Sequence, residues 1–249
     1  MTAAIAIVVG PGQEMPILAI IAAWMIGGYM AGSIPFGWLI GKARGVDIRE
    51  HGSRNIGATN CGRVCGWPYG ALAFILDVAK GFLPVGAATM WFLWGEQPMR
   101  WGGDIECHLG YPESYRVRLL AVVLVGSAAI LGHTFPVWLK FKGGKAVATA
   151  LGVVLAMPML TVWALAAFGV WIVVTGLSRY VSVGSTVAAL ALAGLYLGFE
   201  RDRAWTDYLP VTVFVLLVVA LVIVRHRSNY LRLWRGTENK VWGGKKINN

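Results

Sequence analysis

Acidic residues are scarce in this chain: twelve Asp and Glu stand against 22 Lys and Arg, and charged residues make up only 14% of 249 positions. Hydrophobic residues make up 57%, more than a soluble domain of this length can keep out of water, so the chain is read as an integral membrane protein. Its basic loops hold Asp47, Glu50 and Glu238 as their only acids, too few for a two-metal centre. Three cysteines add no metal set, because Cys61-x-x-x-Cys65 lacks a second pair and Cys107 stands apart. No metal and no cofactor is expected. The absence of any Asp-Gly dipeptide removes the aspartate-rich metal motif of CDP-alcohol phosphotransferases. None of the four histidines opens a His-x-x-x-x-Asp, which removes the His–Asp dyad of the coenzyme-A-dependent glycerolipid acyltransferases. The first twelve residues carry no basic n-region and no Ala-x-Ala site follows, so the first apolar run is expected to be a retained helix.

What the chain has in abundance is apolar runs, at about 17–40, 67–94, 119–139, 146–177, 182–199 and 208–224. A span needs about 20 residues, so the 32-residue run is long for one helix and short for two. Met157-Pro158 offers a break near its middle. Charge asymmetry decides the count. If 42–63, 140–145, Arg179 and the tail from Arg225 share one side, they hold sixteen of the 22 Lys and Arg, and eight of the twelve acids fall opposite. The positive-inside rule then puts those basic loops in the cytoplasm, the N-terminus outside and the C-terminus inside. Lys145 and Arg179 on one side require two helices between them, at 146–158 and 160–177. The expectation is an all-α, seven-helix protein forming a single polytopic domain over 1–249. The net charge of +10 reads as a topology signal and an attraction for phosphate and the lipid bilayer, with no nucleic acid as partner.

Four polar clusters fall on the expected cytoplasmic face. Residues 51–63, His51-Gly52-Ser53-Arg54-Asn55-Ile56-Gly57-Ala58-Thr59-Asn60-Cys61-Gly62-Arg63, combine glycine, neutral donors and arginine, an inventory suited to an oxyanion. The second joins Gly132-His133-Thr134-Phe135-Pro136 to Phe141-Lys142-Gly143-Gly144-Lys145, where two glycines and a lysine open a helix. It resembles a P-loop without being one, because Ala146 stands where Ser or Thr would hold Mg²⁺. The third is Ser182-Val183-Gly184-Ser185, which also suits a plain N-cap. The fourth is Arg225-His226-Arg227-Ser228-Asn229, in which His226 and Asn229 share a face if the last helix continues. Inside the second run, Asp77 and Lys80 lie three residues apart and read as a structural ion pair, since each alone would cost about 2.5–3.5 kcal/mol at mid-membrane. Gly27 and Gly28 read as helix-packing residues.

Gly32-Ser33-Ile34-Pro35-Phe36-Gly37, Asp47-Ile48-Arg49 with Gly52 to Asn60 and Arg63, Phe141 to Lys145 and the Arg225-His226 cluster together resemble the PlsY family of bacterial acyl-phosphate:glycerol-3-phosphate acyltransferases. The resemblance implies seven helices in the bacterial cytoplasmic membrane, a site at the cytoplasmic face, and acyl transfer from acyl phosphate to the 1-hydroxyl of glycerol 3-phosphate, giving lysophosphatidate and phosphate. It implies Ser53, Arg63, Lys145, His226 and Asn229 as catalytic contacts and Asn55, Asn60, Gly143, Gly144 and either Ser182 or Ser185 as phosphate or substrate contacts. A substrate phosphate is the expected proton acceptor, with His226 competing. A soluble enzyme that makes acyl phosphate is an expected partner. Arg54 and Ala146 depart from the family's usual residues. A transporter of organic phosphates is the alternative, but it would carry its charges near mid-membrane and show repeats, which this chain lacks.

Overall fold

The computed structural model describes residues 5–10, 13–94, 99–101, 105–107 and 112–241. Helices dominate: α1 (Ile17–Ser33), α2 (Phe36–Ala43), α3 (Ala58–Cys65), α4 (Trp67–Thr89), α5 (Pro112–Thr134), α6 (Val147–Leu155), α7 (Pro158–Ser178), α8 (Val181–Trp205), α9 (Leu209–Arg225) and α10 (Arg227–Trp234). Five segments among the described residues are long and apolar enough to cross a membrane, namely Ile17–Ala43, Trp67–Trp94, Tyr115–Leu139, Pro158–Ser178 and Val181–Trp205. A sixth follows if α9 and α10 count as one bent span. The protein is therefore a multi-pass helical membrane protein.

Several sequence expectations change in detail. The run at 17–40 breaks at Ile34-Pro35, where proline ends α1 and α2 restarts at Phe36. The helix expected over 146–158 is only nine residues long. At about 1.5 Å per residue it rises about 14 Å, half the hydrocarbon thickness. The last helix does not continue straight past 224: it bends by 46° at His226 before α10. Gly28 packs as expected, with Val125 O 2.9 Å from where a Cβ would stand, but Gly27 faces open space.

A four-stranded antiparallel sheet adds to the helices: Gln13–Pro16, Ile5–Gly10, Met99–Trp101 and Ile105–Cys107, in that spatial order. Ile5 pairs with Trp101 and Ile7 with Met99, so Ile5–Gly10 joins the stretch between the apolar runs at 67–94 and 119–139. Residues 112–118 begin α5, whereas 95–98, 102–104 and 108–111, and Lys245 and Lys246 of the basic tail, lie outside the described residues.

Two features bring the site's elements together. Gly81 on α4 and Gly152 on α6 each face partner backbone, with Thr149 O 2.2 Å and Val78 O 2.0 Å from the respective Cβ positions, so any side chain there would force α4 and α6 apart. Asp77 and Lys80 form the expected ion pair, 2.8 Å and buried, and the Lys80 ammonium also donates to Ile34 O at 2.6 Å. Ile34 O lies in the break between α1 and α2, where it also accepts Phe36 N at 3.1 Å, and the buried lysine gives it a second donor.

Candidate active site

Asn60 organises the loop before α3. Its Oδ1 accepts from Ser53 N at 2.8 Å, and its Nδ2 lies within bonding distance of Ile48 O, His51 O and Asn55 O at 2.8, 3.2 and 2.9 Å. Asn55 in turn accepts from Gly57 N through its Oδ1 at 2.9 Å. A single side chain, 1% exposed, thus closes a turn that presents Ser53 and Asn55 to a cavity. Sequence reading took Asn60 for a substrate contact; its amide is engaged by loop backbone, and its visible work is holding the loop. Arg54 occupies left-handed backbone there, with φ 58°.

Lys145 leaves the chain just before α6, and its ammonium donates to Asn229 Oδ1 on α10. The Asn229 amide donates to Glu238 Oε1, Arg232 Nε donates to Glu238 Oε2 at 2.7 Å, and Ser182 Oγ lies 3.5 Å from the same carboxylate. Arg63 reaches this group from α3, donating to Asn239 O at 3.1 Å, while its buried Nε has no hydrogen-bond partner. Val241 N donates to Arg179 O at 2.9 Å, so the segment after α10 folds back over the cluster. At the bend, His226 places Nδ1 2.8 Å from Val222 O. A carbonyl can only accept, so Nδ1 carries the proton and a neutral ring leaves Nε2 as an acceptor.

These side chains line the polar end of a cavity of about 590 Å³. Its other end is apolar, walled by Phe74, Ala167, Phe168, Trp171, Leu192 and Val218. Phe74, Phe168 and Trp171 stack in near-parallel planes. Along α8 the lining runs from Ser182 to Leu192, about 15 Å of helix, a length equal to about half the thickness of a bilayer core. Ser182 and Ser185 separate here: Ser182 faces Glu238, whereas Ser185 Oγ accepts from Trp171 Nε1 at 3.2 Å. Ser182→Ala is expected to lower kcat/KM about tenfold, as the loss of one hydrogen bond to a charged group does. Ser185→Ala should have a smaller kinetic effect and cost about 1 kcal/mol of stability, read as a lower Tm.

Gly143 and Gly144 stand behind the cavity wall rather than on it. Gly144 N donates to His133 O at 3.1 Å, and both glycine carbonyls accept from Arg225, at 3.3 and 2.7 Å. The expected phosphate cradle of two glycine N–H groups is thus not formed at Gly144, whose donor is already used. Ala146 takes left-handed backbone, φ 58°, at the point where the chain enters α6. The other sequence-selected residues, Ser53, Asn55, Asn60, Arg63, Lys145, Ser182, Ser185, His226 and Asn229, all line one cavity. Glu238 and Arg232 are participants outside the sequence-selected set; Glu238 is the acid among them. As the only acid among the clustered cations it carried a signal, but its fold-back from α10 has no local signature.

Burial pulls the Lys145 ammonium down from its ordinary value to about 8; Arg232, Arg63 and Arg225 push the same way and Glu238 opposes them. Burial likewise lowers Arg63, again opposed by Glu238. The free site therefore loses its lysine charge as pH rises through about 8, and a bound anion would restore it. kcat/KM for a phosphate substrate should fall on the alkaline side with an apparent pKa near 8. Lys145→Arg, whose guanidinium keeps its proton, should remove that alkaline limb; an unchanged limb would assign it to another group.

The glycerol-3-phosphate acyltransferase family model matches residues 22–236. Glycerol-3-phosphate acyltransferases from Acholeplasma laidlawii and Geobacillus kaustophilus are 38% and 42% identical to the chain, covering 95% and 88% of it and 99% and 95% of their own lengths. Two crystal structures of PlsY (YgiH), an integral membrane glycerol 3-phosphate acyltransferase, are similar at 37% identity over 89% of this chain and 95% of theirs. The glycerol 3-phosphate form gives a TM-score of 0.72 and the lysophosphatidic acid form 0.70.

Proposed function

The chain belongs to the glycerol-3-phosphate acyltransferase family, and from that premise we propose that it transfers a fatty acyl group from acyl phosphate to the 1-hydroxyl of sn-glycerol 3-phosphate. The products are lysophosphatidate and inorganic phosphate. The observation that carries this reading is the two-ended cavity: a cationic mouth holding Lys145, an unpartnered Arg63 Nε and Arg232, continuous with an apolar channel, the whole about as long as half a bilayer core is thick. Only a substrate pair that joins phosphate to an acyl chain uses both ends.

Acyl phosphate is an activated mixed anhydride whose leaving group needs little protonation, so fixed charge and positioning supply most of the acceleration. Lys145 and Arg63 hold phosphate oxygens and stabilise charge as the carbonyl is attacked. Ser53 and Ser182 orient phosphate, and Asn229 with His226 places glycerol 3-phosphate. The hydroxyl proton passes to a substrate phosphate or to His226 Nε2. Lipid tails are as apolar as the channel wall, so the channel orients the acyl chain rather than adding much affinity.

The same reading takes the chain as one polytopic domain of seven membrane helices, with α6 as a short one, the site cytoplasmic and the N-terminus outside, in a bacterial cytoplasmic membrane. The bonds from Lys145 to α10 and from Arg179 to Val241 support the parity on which that topology rests, since both ends of α6 and α7 meet the same C-terminal segment. Donor and acceptor competition tests the function. The purified protein should use palmitoyl phosphate with glycerol 3-phosphate and should use neither palmitoyl-coenzyme A as donor nor glycerol as acceptor. Equal use of the coenzyme A ester would contradict the donor assignment.

A further inference from the structure

His133 is singled out by its motif and lines the cavity, yet the mechanism gives it no task. It is 4% exposed, and its contacts run in three directions. Its backbone carbonyl accepts Gly144 N at 3.1 Å. Its ring lies against the Gly144 backbone so closely that a Cβ there would stand 2.1 Å from Nε2. Its Nδ1 shares a hydrogen bond with Thr149 Oγ1 at 3.1 Å and sits 3.7 Å from Asp77 Oδ1. Asp77 is fixed by Lys80, and Lys80 by Ile34 O at the break between α1 and α2.

We propose that His133 is a positioning residue for Lys145, its ring clamped by Thr149 and the Asp77–Lys80 pair so that it fixes the Gly144–Lys145 backbone against α5. A lysine on a two-glycine loop would otherwise spread its ammonium over many rotamers and backbone states. The clamp links four elements to one peptide: Thr149 lies in the first turn of α6, four residues after Lys145, while Asp77 comes from α4, which Gly81 and Gly152 hold tightly against α6. The buried ion pair then has a reason to exist beyond tying helices together, because it ends on the ring that carries the anion-binding loop. The proposal rests on the acyltransferase reading only for the substrate's name; the anion site stands without it.

The test compares His133→Phe with His133→Asn. Phenylalanine keeps a flat ring under Gly144 and loses both nitrogens, whereas asparagine gives up ring volume but retains a polar group near the Nδ1 position. If His133 positions Lys145 through its polar contacts, inorganic phosphate binding by calorimetry should weaken about tenfold in His133→Phe and recover in part in His133→Asn. In a Lys145→Ala background, His133→Phe should add nothing further, because both changes act through one ammonium. Thr149→Val serves as a second variant that removes only the hydroxyl, and it should weaken phosphate binding in the same direction while Tm stays near that of the parent. A packing role predicts the reverse order, with phenylalanine better than asparagine, and that order, or additive losses in the double variant, would overturn the proposal. A parent protein that binds phosphate but never consumes acyl phosphate would defeat the function reading and leave this result standing.

Discussion

Lys145→Ala is expected to lower kcat/KM for acyl transfer about a hundredfold to a thousandfold, the range for removing one preorganised charge-stabilising donor. Lys145 is the cation that joins α6 to α10, and its partner Asn229 also binds Glu238. Without the ammonium, Asn229 Oδ1 loses its donor and Glu238 faces Arg232 with one positive charge fewer nearby. Arg63 and Arg232 remain, so phosphate binding weakens but persists. The signature is therefore a large loss in kcat with a smaller rise in KM, measured with the variant expressed and folded as the parent is. Undiminished turnover would remove Lys145 from the reacting centre.

Asn60→Asp should be nearly as damaging from a position that touches no reacting atom. The aspartate oxygen still accepts Ser53 N, but nothing donates to Ile48 O and Asn55 O, His51 O keeps only Arg54 N, and all three would then face a carboxylate. Leaving a buried acceptor such as Ile48 O unpaired costs about 1–3 kcal/mol, and a carboxylate set against part-buried carbonyls adds repulsion, so the loop rearranges. Ser53 and Asn55 move with it. The expected result is a kcat/KM loss of about a hundredfold, as a misplacement near 1 Å produces, with the spanning helices intact by circular dichroism. A variant with parental kinetics would show that the loop's shape does not govern the site.

The clusters that hold Ser53, Arg63, Lys145, His226 and Asn229 stand out because a membrane chain has few reasons to keep polar groups that lipid cannot partner; the family resemblance then singles out those positions within them. Charge parity put Lys145 and Arg179 on one side of the membrane, and in the structure the C-terminal segment meets both. What composition could not show was geometry over distance. Nothing local to Ile5–Gly10 announces a strand whose partner is Met99–Trp101, and hydropathy alone runs through 146–177 unbroken, so the division of α6 from α7 rests on Met157-Pro158 and charge parity. Gly144 was misread as a phosphate donor because its N–H is taken by His133, a bond set by how α5 meets the loop. Glu238 entered the site by a reversal after α10 stabilised by Arg232 and Asn229, contacts that exist only once the helices have packed.

Product stoichiometry in a reconstituted bilayer tests the central claim most directly. Purified protein is supplied with palmitoyl phosphate and glycerol 3-phosphate, and lysophosphatidate and inorganic phosphate are counted together. Equal amounts of the two products, both absent without glycerol 3-phosphate and both greatly reduced in Lys145→Ala, are the predicted result. Phosphate release without lysophosphatidate, or movement of glycerol 3-phosphate across the bilayer without acylation, would contradict it.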